Sequence, residues 1–474
     1  MTQLTVATTA GRVAGMQAGG LVIWRGVPFA AEPVGPRRWM PPEPPRPWAG
    51  VRDATAFGPA APQTPGFTTV LPPEEIGAWD EAGCLTLNVW APAGGRPRPV
   101  LVWFHGGAFM TGSSAAPAYD CAALAAEGDI VVVSANYRLG ALGYAPVAGH
   151  CNIGVLDQLQ ALRWIADNIV GFGGDPEQVT TFGESAGGGS VLHLLTSPRS
   201  AGLVRRAIVQ SGATTLTPTA DRMAEVAERV RARVDVGGPV EAILDAQLAV
   251  VAELAASTGL MPFHPTVDGD VIPAVPTAGL PGGVDLVIGT TRDELTPFLD
   301  PTAWSMDDDR YRKRAVRYLE NLTVSRPELL VDAYADLPTP AARWATLRTD
   351  AEMWIPCLDV VDAHPGRTFV YRFDWPAAPP NERFGACHAI DIPFTFGTFD
   401  RCGWGPFVGA DDDAVALGRT LRGAWARFAS GAEPWPASGA SRATMVFDRR
   451  CRVEDDPRGD VRRAWRAATG SVTA

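Results

Sequence analysis

Lysine is almost missing from this chain. Of 474 residues 41 are basic, and Lys313 is the one lysine, so 40 are arginine. Chemistry built on a lysine amine would have to rest on a single residue far from every motif described below. Basic runs are also absent. Against 52 acidic residues the net charge is -11, which makes nucleic acid and anionic membrane poor partners. The negative balance reads as a solubility feature. Long apolar runs are missing too: nothing approaches 18 uninterrupted residues, so no membrane span is expected. The first twenty residues lack the basic and apolar regions of a signal peptide. The cysteines at 84, 121, 151, 357, 387, 402 and 451 show no CxxC spacing, and an odd number argues against a disulfide framework. Reduced thiols and a cytoplasmic location are expected. No metal-ligand cluster is visible, and no metal or cofactor is expected.

What remains is ordinary globular composition, with 46% hydrophobic and 20% charged residues. That excludes a disordered chain, a coiled coil and a collagen. Short apolar runs at 85–90, 100–104, 130–134, 179–182, 204–210, 284–289 and 368–375 read as strands. Helical spacing appears at 158–169 (Leu159, Leu162, Ile165, Ile169) and at 417–430 (Leu417, Leu421, Trp425, Phe428). Residues 223–256 and 310–367 look largely helical. Strands alternating with helices predict an α/β architecture, a mostly parallel sheet covered by helices. No repeat or long linker divides the chain. It is read as one domain, residues 1–474, with helical insertions near 214–260 and 300–367.

Gly183-Glu184-Ser185-Ala186-Gly187 is a GxSxG pattern between the strand 179–182 and a predicted helix. Small flanking residues suit a serine on a strained strand-to-helix turn, where Oγ is exposed as a nucleophile. His105-Gly106-Gly107-Ala108-Phe109 follows its own apolar strand. Backbone amides of Gly106 and Gly107, with that of Ala186, could bind a developing oxyanion; one such donor is typically worth about 3 kcal/mol.

Six histidines are available as base. α/β-Hydrolases order the groups serine, acid, histidine, which excludes His105 and His150. His193 lies about 12 Å along the helix from Ser185. His264 precedes any good acid. His364, beside Pro365-Gly366, reads as a surface loop residue. His388 follows a late strand and a loop, as the base should. The acid should follow the strand 284–289, where Asp293 and Glu294 are nearly tied.

These residues resemble those of the type-B carboxylesterases, the family that includes bacterial para-nitrobenzyl esterases and cholinesterases. The resemblance runs through Arg25-Gly26-Val27-Pro28-Phe29-Ala30, Cys84-Leu85-Thr86-Leu87-Asn88-Val89-Trp90, Asn136-Tyr137-Arg138-Leu139-Gly140 and Phe172-Gly173-Gly174-Asp175-Pro176. It continues in Phe182-Gly183-Glu184-Ser185-Ala186-Gly187-Gly188, Gln210-Ser211-Gly212, Val267-Asp268-Gly269 and His388-Ala389-Ile390-Asp391-Ile392-Pro393-Phe394. It implies the α/β-hydrolase fold and breaks the tie toward Glu294, giving a triad of Ser185, Glu294 and His388. It also implies a supporting hydrogen-bonded shell at Glu184 and Ser211. Ala82-Gly83 stand where the family usually has Glu-Asp, so an ion pair is expected to be missing there. Leu295 replaces the usual glycine after the acid, which puts that loop's geometry in question.

The expected reaction is hydrolysis of a small-molecule carboxylic ester through an acyl-enzyme. The same triad could serve an acyltransferase, lactonase or carbamate hydrolase. A silent binding homologue typically loses the serine, which is present here. Phe109, Phe263, Phe298, Trp354 and Phe394 lie near the motifs and could line an apolar pocket, although core packing explains each as well. Trp79 is a candidate on the alcohol side. Monomer and homo-oligomer are both compatible with the sequence.

Overall fold

Fourteen short runs pair as strands in the computed structural model, which describes residues 4–64, 71–73, 75–94, 96–212, 217–258 and 261–470. In chain order they are β1 (Thr5–Ala7), β2 (Arg12–Ala14), β3 (Met16–Ala18), β4 (Leu21–Pro28), β5 (Val51–Asp53), β6 (Thr86–Pro92) and β7 (Arg98–Phe104). Then follow β8 (Val131–Ala135), β9 (Gly174–Glu184), β10 (Arg206–Gln210), β11 (Asp285–Thr291), β12 (Thr368–Phe373), β13 (Ala443–Phe447) and β14 (Arg452–Asp455).

The centre of the main sheet is parallel. β8, β7, β9, β10, β11, β12 and β13 lie side by side in that order. Their sequences explain this. Val131–Ala135 is buried at every position, and Val100 to Phe104 likewise, because helices cover both faces. Each fully buried Val or Leu contributes about 1.5–3 kcal/mol relative to exposure. The margins are antiparallel: β14 on β13, and β6, β4 and β3 beyond β8. A separate small sheet joins β1, β2 and β5.

The helix Ile153–Asn168 starts five residues before the predicted one. Its Asp157 forms a buried pair with Arg138, Nη2 to Oδ1 2.6 Å, so the helix is pinned as well as packed. Helices Ala220–Arg231 and Val240–Thr258 follow β10. The ends of that expected insertion, residues 214–216 and 259–260, lie outside the described residues. Between β11 and β12 run Asp308–Asn321, Pro327–Ala333, Pro340–Thr349, a π-helical turn Asp350–Trp354, and Ile355–Ala363. The helix Asp412–Ala429 extends the predicted one by one turn at its start, where Asp411 caps the N–H of Ala414 at 2.8 Å.

Two expectations are overturned. The ion pair thought missing before Cys84 is present: Arg38 binds Glu81, with Nη2 to Oε2 2.8 Å. Asp80 accepts the N–H groups of Ala82 and Gly83, and the turn it stabilises carries Glu81 to Arg38. His364 is not on a surface loop but 7% exposed. It closes the helix 355–363, and its Nδ1 meets Thr368 Oγ1 at 2.8 Å. The seven cysteines are all free. Among the described residues no helix is long and apolar enough to cross a membrane.

Candidate active site

β9 delivers Ser185 at the carboxyl edge of the sheet. Ser185 has φ 55° and ψ -124°, a conformation that costs a non-glycine residue of order 1–3 kcal/mol and persists only when its surroundings enforce it. They do so here. Ser185 N–H donates to Gln210 O at 2.9 Å. A Cβ on Gly183 would lie 2.4 Å from the Gly187 carbonyl carbon, and one on Gly187 would lie 1.9 Å from Phe104 O. Glycine is required at both. Ser185 is partly exposed while 181–184 and 186–190 are buried.

β11 and β12 deliver the other groups to the same edge. His388 Nε2 lies 2.9 Å from Ser185 Oγ, and its Nδ1 lies 2.6 Å from Glu294 Oε2. Glu294 Oε1 accepts Thr291 N–H at 2.8 Å, so the carboxylate curls back over its own turn. Asp293 points elsewhere and laces two loops together. Its Oδ2 accepts Ala386 N–H at 2.8 Å, while its N–H donates to Ala386 O at 2.8 Å. Of the two acids it is Glu294 whose carboxylate faces His388. Leu295, with φ -90°, fits without needing glycine.

A serine, an imidazole and a carboxylate in one hydrogen-bonded line can generate an alkoxide nucleophile. Comparison with known proteins agrees. Residues 2–449 match the family model described as "Carboxylesterase family". The chain is 36% identical over 495 residues to the para-nitrobenzyl esterase of Bacillus subtilis (strain 168), covering 98% of each. It is 37% identical to the phenmedipham hydrolase of Pseudarthrobacter oxydans, covering 90% of each. A Geobacillus stearothermophilus carboxylesterase structure superposes with TM-score 0.85 at 35% identity, over 98% of this chain and all of that one.

The chain belongs to the carboxylesterase family.

The fold of this family member is therefore the α/β-hydrolase fold, and its electrostatics turn on His388. Burial opposes charge on the imidazole. The carboxylates of Glu184 and Glu294, the hydrogen bond to Glu294 and nearby Asp391 outweigh that, and the pKa is pushed up to about 9. Glu184 Oε1 stands 3.3 Å from Nε2, on the serine side of the ring. Asp391, raised chiefly by burial to about 6, accepts Gln210 Nε2–H at 2.8 Å. Gln210 in turn accepts Trp425 Nε1–H at 3.1 Å. One side chain thus ties the strand behind Ser185 to the helix after His388. Sequence reading gave Gln210 and Asp391 no role; the signal was their place inside quoted motifs.

His105 is fully buried and pushed down to about 4 by burial, against the hydrogen bond to Gly106 O. It stacks on Tyr137, whose hydroxyl donates to its carbonyl at 2.7 Å. This fixes the glycine loop that follows. Gly107, Ala108 and Phe109 have φ of 108°, 53° and 59°. Gly106 lies against the nucleophile turn, since a Cβ there would be 2.9 Å from Glu184 Oε2. Ser211 has φ 50°, and its N–H donates to Gly289 O at 2.9 Å. Its side chain is buried.

His193 Nδ1 bonds Gly189 O at 2.7 Å within its own helix. Of the aromatic candidates, Phe263, Trp354 and Phe394 are core residues. Phe109 stacks at 6.5 Å on His264. Phe298 alone of the five is exposed, at 42%, with its ring edge-on to His388 at 5.5 Å. Trp79 is half-buried against the core.

Proposed function

We propose that this family member hydrolyses small-molecule carboxylic esters through an acyl-enzyme on Ser185. The observation that carries the reading is the continuous line from Ser185 Oγ to His388 to Glu294, at 2.9 and 2.6 Å, on a strained turn that exposes the serine. Glu294 keeps a proton on Nδ1, which leaves Nε2 to take the proton of Oγ–H. Oγ attacks the ester carbonyl and the imidazolium returns the proton to the leaving alcohol. Water then repeats the cycle on the acyl-enzyme. Amides of Gly106, Gly107 and Ala186 supply the oxyanion donors, and Ala108 N–H, in the same positive-φ turn, joins them. Glu184, beside Nε2, and Ser211 support the triad. Phe298 offers the substrate an apolar surface beside the base.

Carbamates are a second substrate class. The 37% identity to a protein named phenmedipham hydrolase favours this, and a carbamoyl-enzyme needs no different residues. The chain acts as one unit from 1 to 474, with the helices after β10 and β11 as its excursions. Seven free cysteines fit a cytoplasmic setting.

The direct test is Ser185→Ala against para-nitrophenyl acetate and an aryl carbamate, with fluorophosphonate labelling. Both activities and the label should vanish. Hydrolysis at the unmodified rate would sink the assignment. Adding an alcohol acceptor separates hydrolysis from acyl transfer by product.

A further inference from the structure

The last helix of the described chain reaches back to the base of the acid loop. Asp350 is fully buried, a placement that demands full pairing of its charge. It receives three donors. Arg458 Nη1 and Nη2 meet its two oxygens at 2.8 Å each, and Tyr334 O–H donates at 2.7 Å. Trp465 Nε1–H then donates to Tyr334 Oη at 2.7 Å. Arg458 holds φ 59° at the start of the helix Gly459–Thr469. Asp350 opens the π-helical turn Asp350–Trp354, a geometry often found where a helix is shaped by function.

Its neighbour Thr349 looks the other way. Adjacent residues of a helix diverge by about 100°, so one turn can address two partners. Thr349 Oγ1 accepts the N–H of Leu295 at 3.1 Å. Leu295 directly follows Glu294, whose carbonyl accepts His388 N–H at 3.3 Å. A short path therefore runs from Arg458 through Asp350 and Thr349 to the peptide that carries the acid.

We propose that the Arg458–Asp350 pair is a positioning device for Glu294, acting through the Thr349–Leu295 hydrogen bond. It rests on the reading of Glu294 as triad acid. Arg458 touches no substrate. It neutralises the carboxylate that fixes the π-helical turn, and that turn sets how far Glu294 reaches toward Nδ1. With the arginine gone, the buried carboxylate must take up a proton or turn toward water, and the shelf under Leu295 moves.

The test uses Arg458→Gln, Arg458→Lys and Thr349→Val in the full chain, with Arg466→Ala as control. Arg466 pairs with Asp359 and Asp362 from the same last helix but does not reach Asp350. The readouts are kcat, KM and the pH at which kcat/KM levels off. Arg458→Gln should lower kcat on the order of tenfold or more with KM little changed, the scale of a misplaced catalytic group. Its levelling point should fall by about half a pH unit or more, because a receding Glu294 no longer holds up His388. Arg458→Lys should recover part of both. Thr349→Val should reproduce the shift, and it decides the matter if Arg458→Gln does not fold. Arg466→Ala should lower Tm without moving the pH profile. An Arg458→Gln or Thr349→Val protein with unaltered kcat and pH profile overturns the proposal. Ser185→Ala measured alongside separates the cases: if it stays active, the triad reading itself has failed.

Discussion

Replacing Glu184 by glutamine isolates one of the charges facing His388. The variant keeps the shape of the side chain and removes a carboxylate 3.3 Å from Nε2. The rise of His388 from 6.5 to about 9 corresponds to about 3 kcal/mol favouring imidazolium. Glu184 is the largest of the raising influences. An opposite charge at this range is worth about 1–3 pH units, so the variant should titrate at about 8 or below. In the unmodified protein the imidazolium is then the favoured form at pH 7.

Two consequences oppose each other, and their balance is the test. Glutamine frees more neutral imidazole at pH 7. It also withdraws support from the imidazolium formed in the transition state. Below the pKa both the resting enzyme and the transition state carry the positive ring, so the effect of Glu184 cancels. Above it only the transition state does. Plots of log kcat/KM for para-nitrophenyl acetate should superimpose below the variant's own break and diverge by about tenfold or more at high pH. The downward move of the break should equal the logarithm of the plateau ratio. A break that moves with no fall in plateau refutes the electrostatic account. A variant slower by the same factor at every pH assigns Glu184 a purely structural task. Stability runs in the opposite sense to activity. A raised histidine stabilises fully below 6.5 and loses that contribution as pH climbs through about 9. Tm should therefore fall across the window in which activity rises, and less so in Glu184→Gln.

Glu294→Gln should lower kcat by about 10⁴, the cost of losing the group that fixes the imidazole tautomer; a loss under tenfold in steady-state assays would return the role to Asp293. Asp293→Asn should instead loosen the loop contact at Ala386 and cost roughly 1–2 kcal/mol of stability, visible in urea unfolding, with kcat reduced far less than in Glu294→Gln. Gly187→Ala would place a methyl 1.9 Å from Phe104 O. Strand and helix must part, at a cost of about 3 kcal/mol or more, so Tm and fluorophosphonate labelling should both drop; normal values for both would show that the close approach is not required.

The meeting of Ser185 with His388 was legible in the sequence because each is fixed by a one-dimensional constraint. Ser185 needs small neighbours on both sides, and chain order leaves few histidines after it. Six of the seven parallel strands were equally readable, since burial on both faces writes itself as an unbroken apolar run. The acid was different. Asp293 and Glu294 occupy one turn and have the same chemistry. What separates them is that Thr291 N–H captures Glu294 while Ala386 N–H, 93 residues away, captures Asp293. No local pattern encodes the second partner. His364 misled for the same reason. Its Pro-Gly neighbours mark a turn, but that turn is packed under the carbonyls of Gly282 and Val284, which a Cβ at Gly366 would approach to 3.0 Å. β13, β14 and the last helix also escaped. β13 has five residues and β14 four, too short to announce a period, and they are stabilised by pairing rather than by propensity. The helix Gly459–Thr469 does carry Val461, Trp465 and Ala468 on one face, but only the fold reveals that this face and Arg458 close on Asp350, at the back of the acid loop.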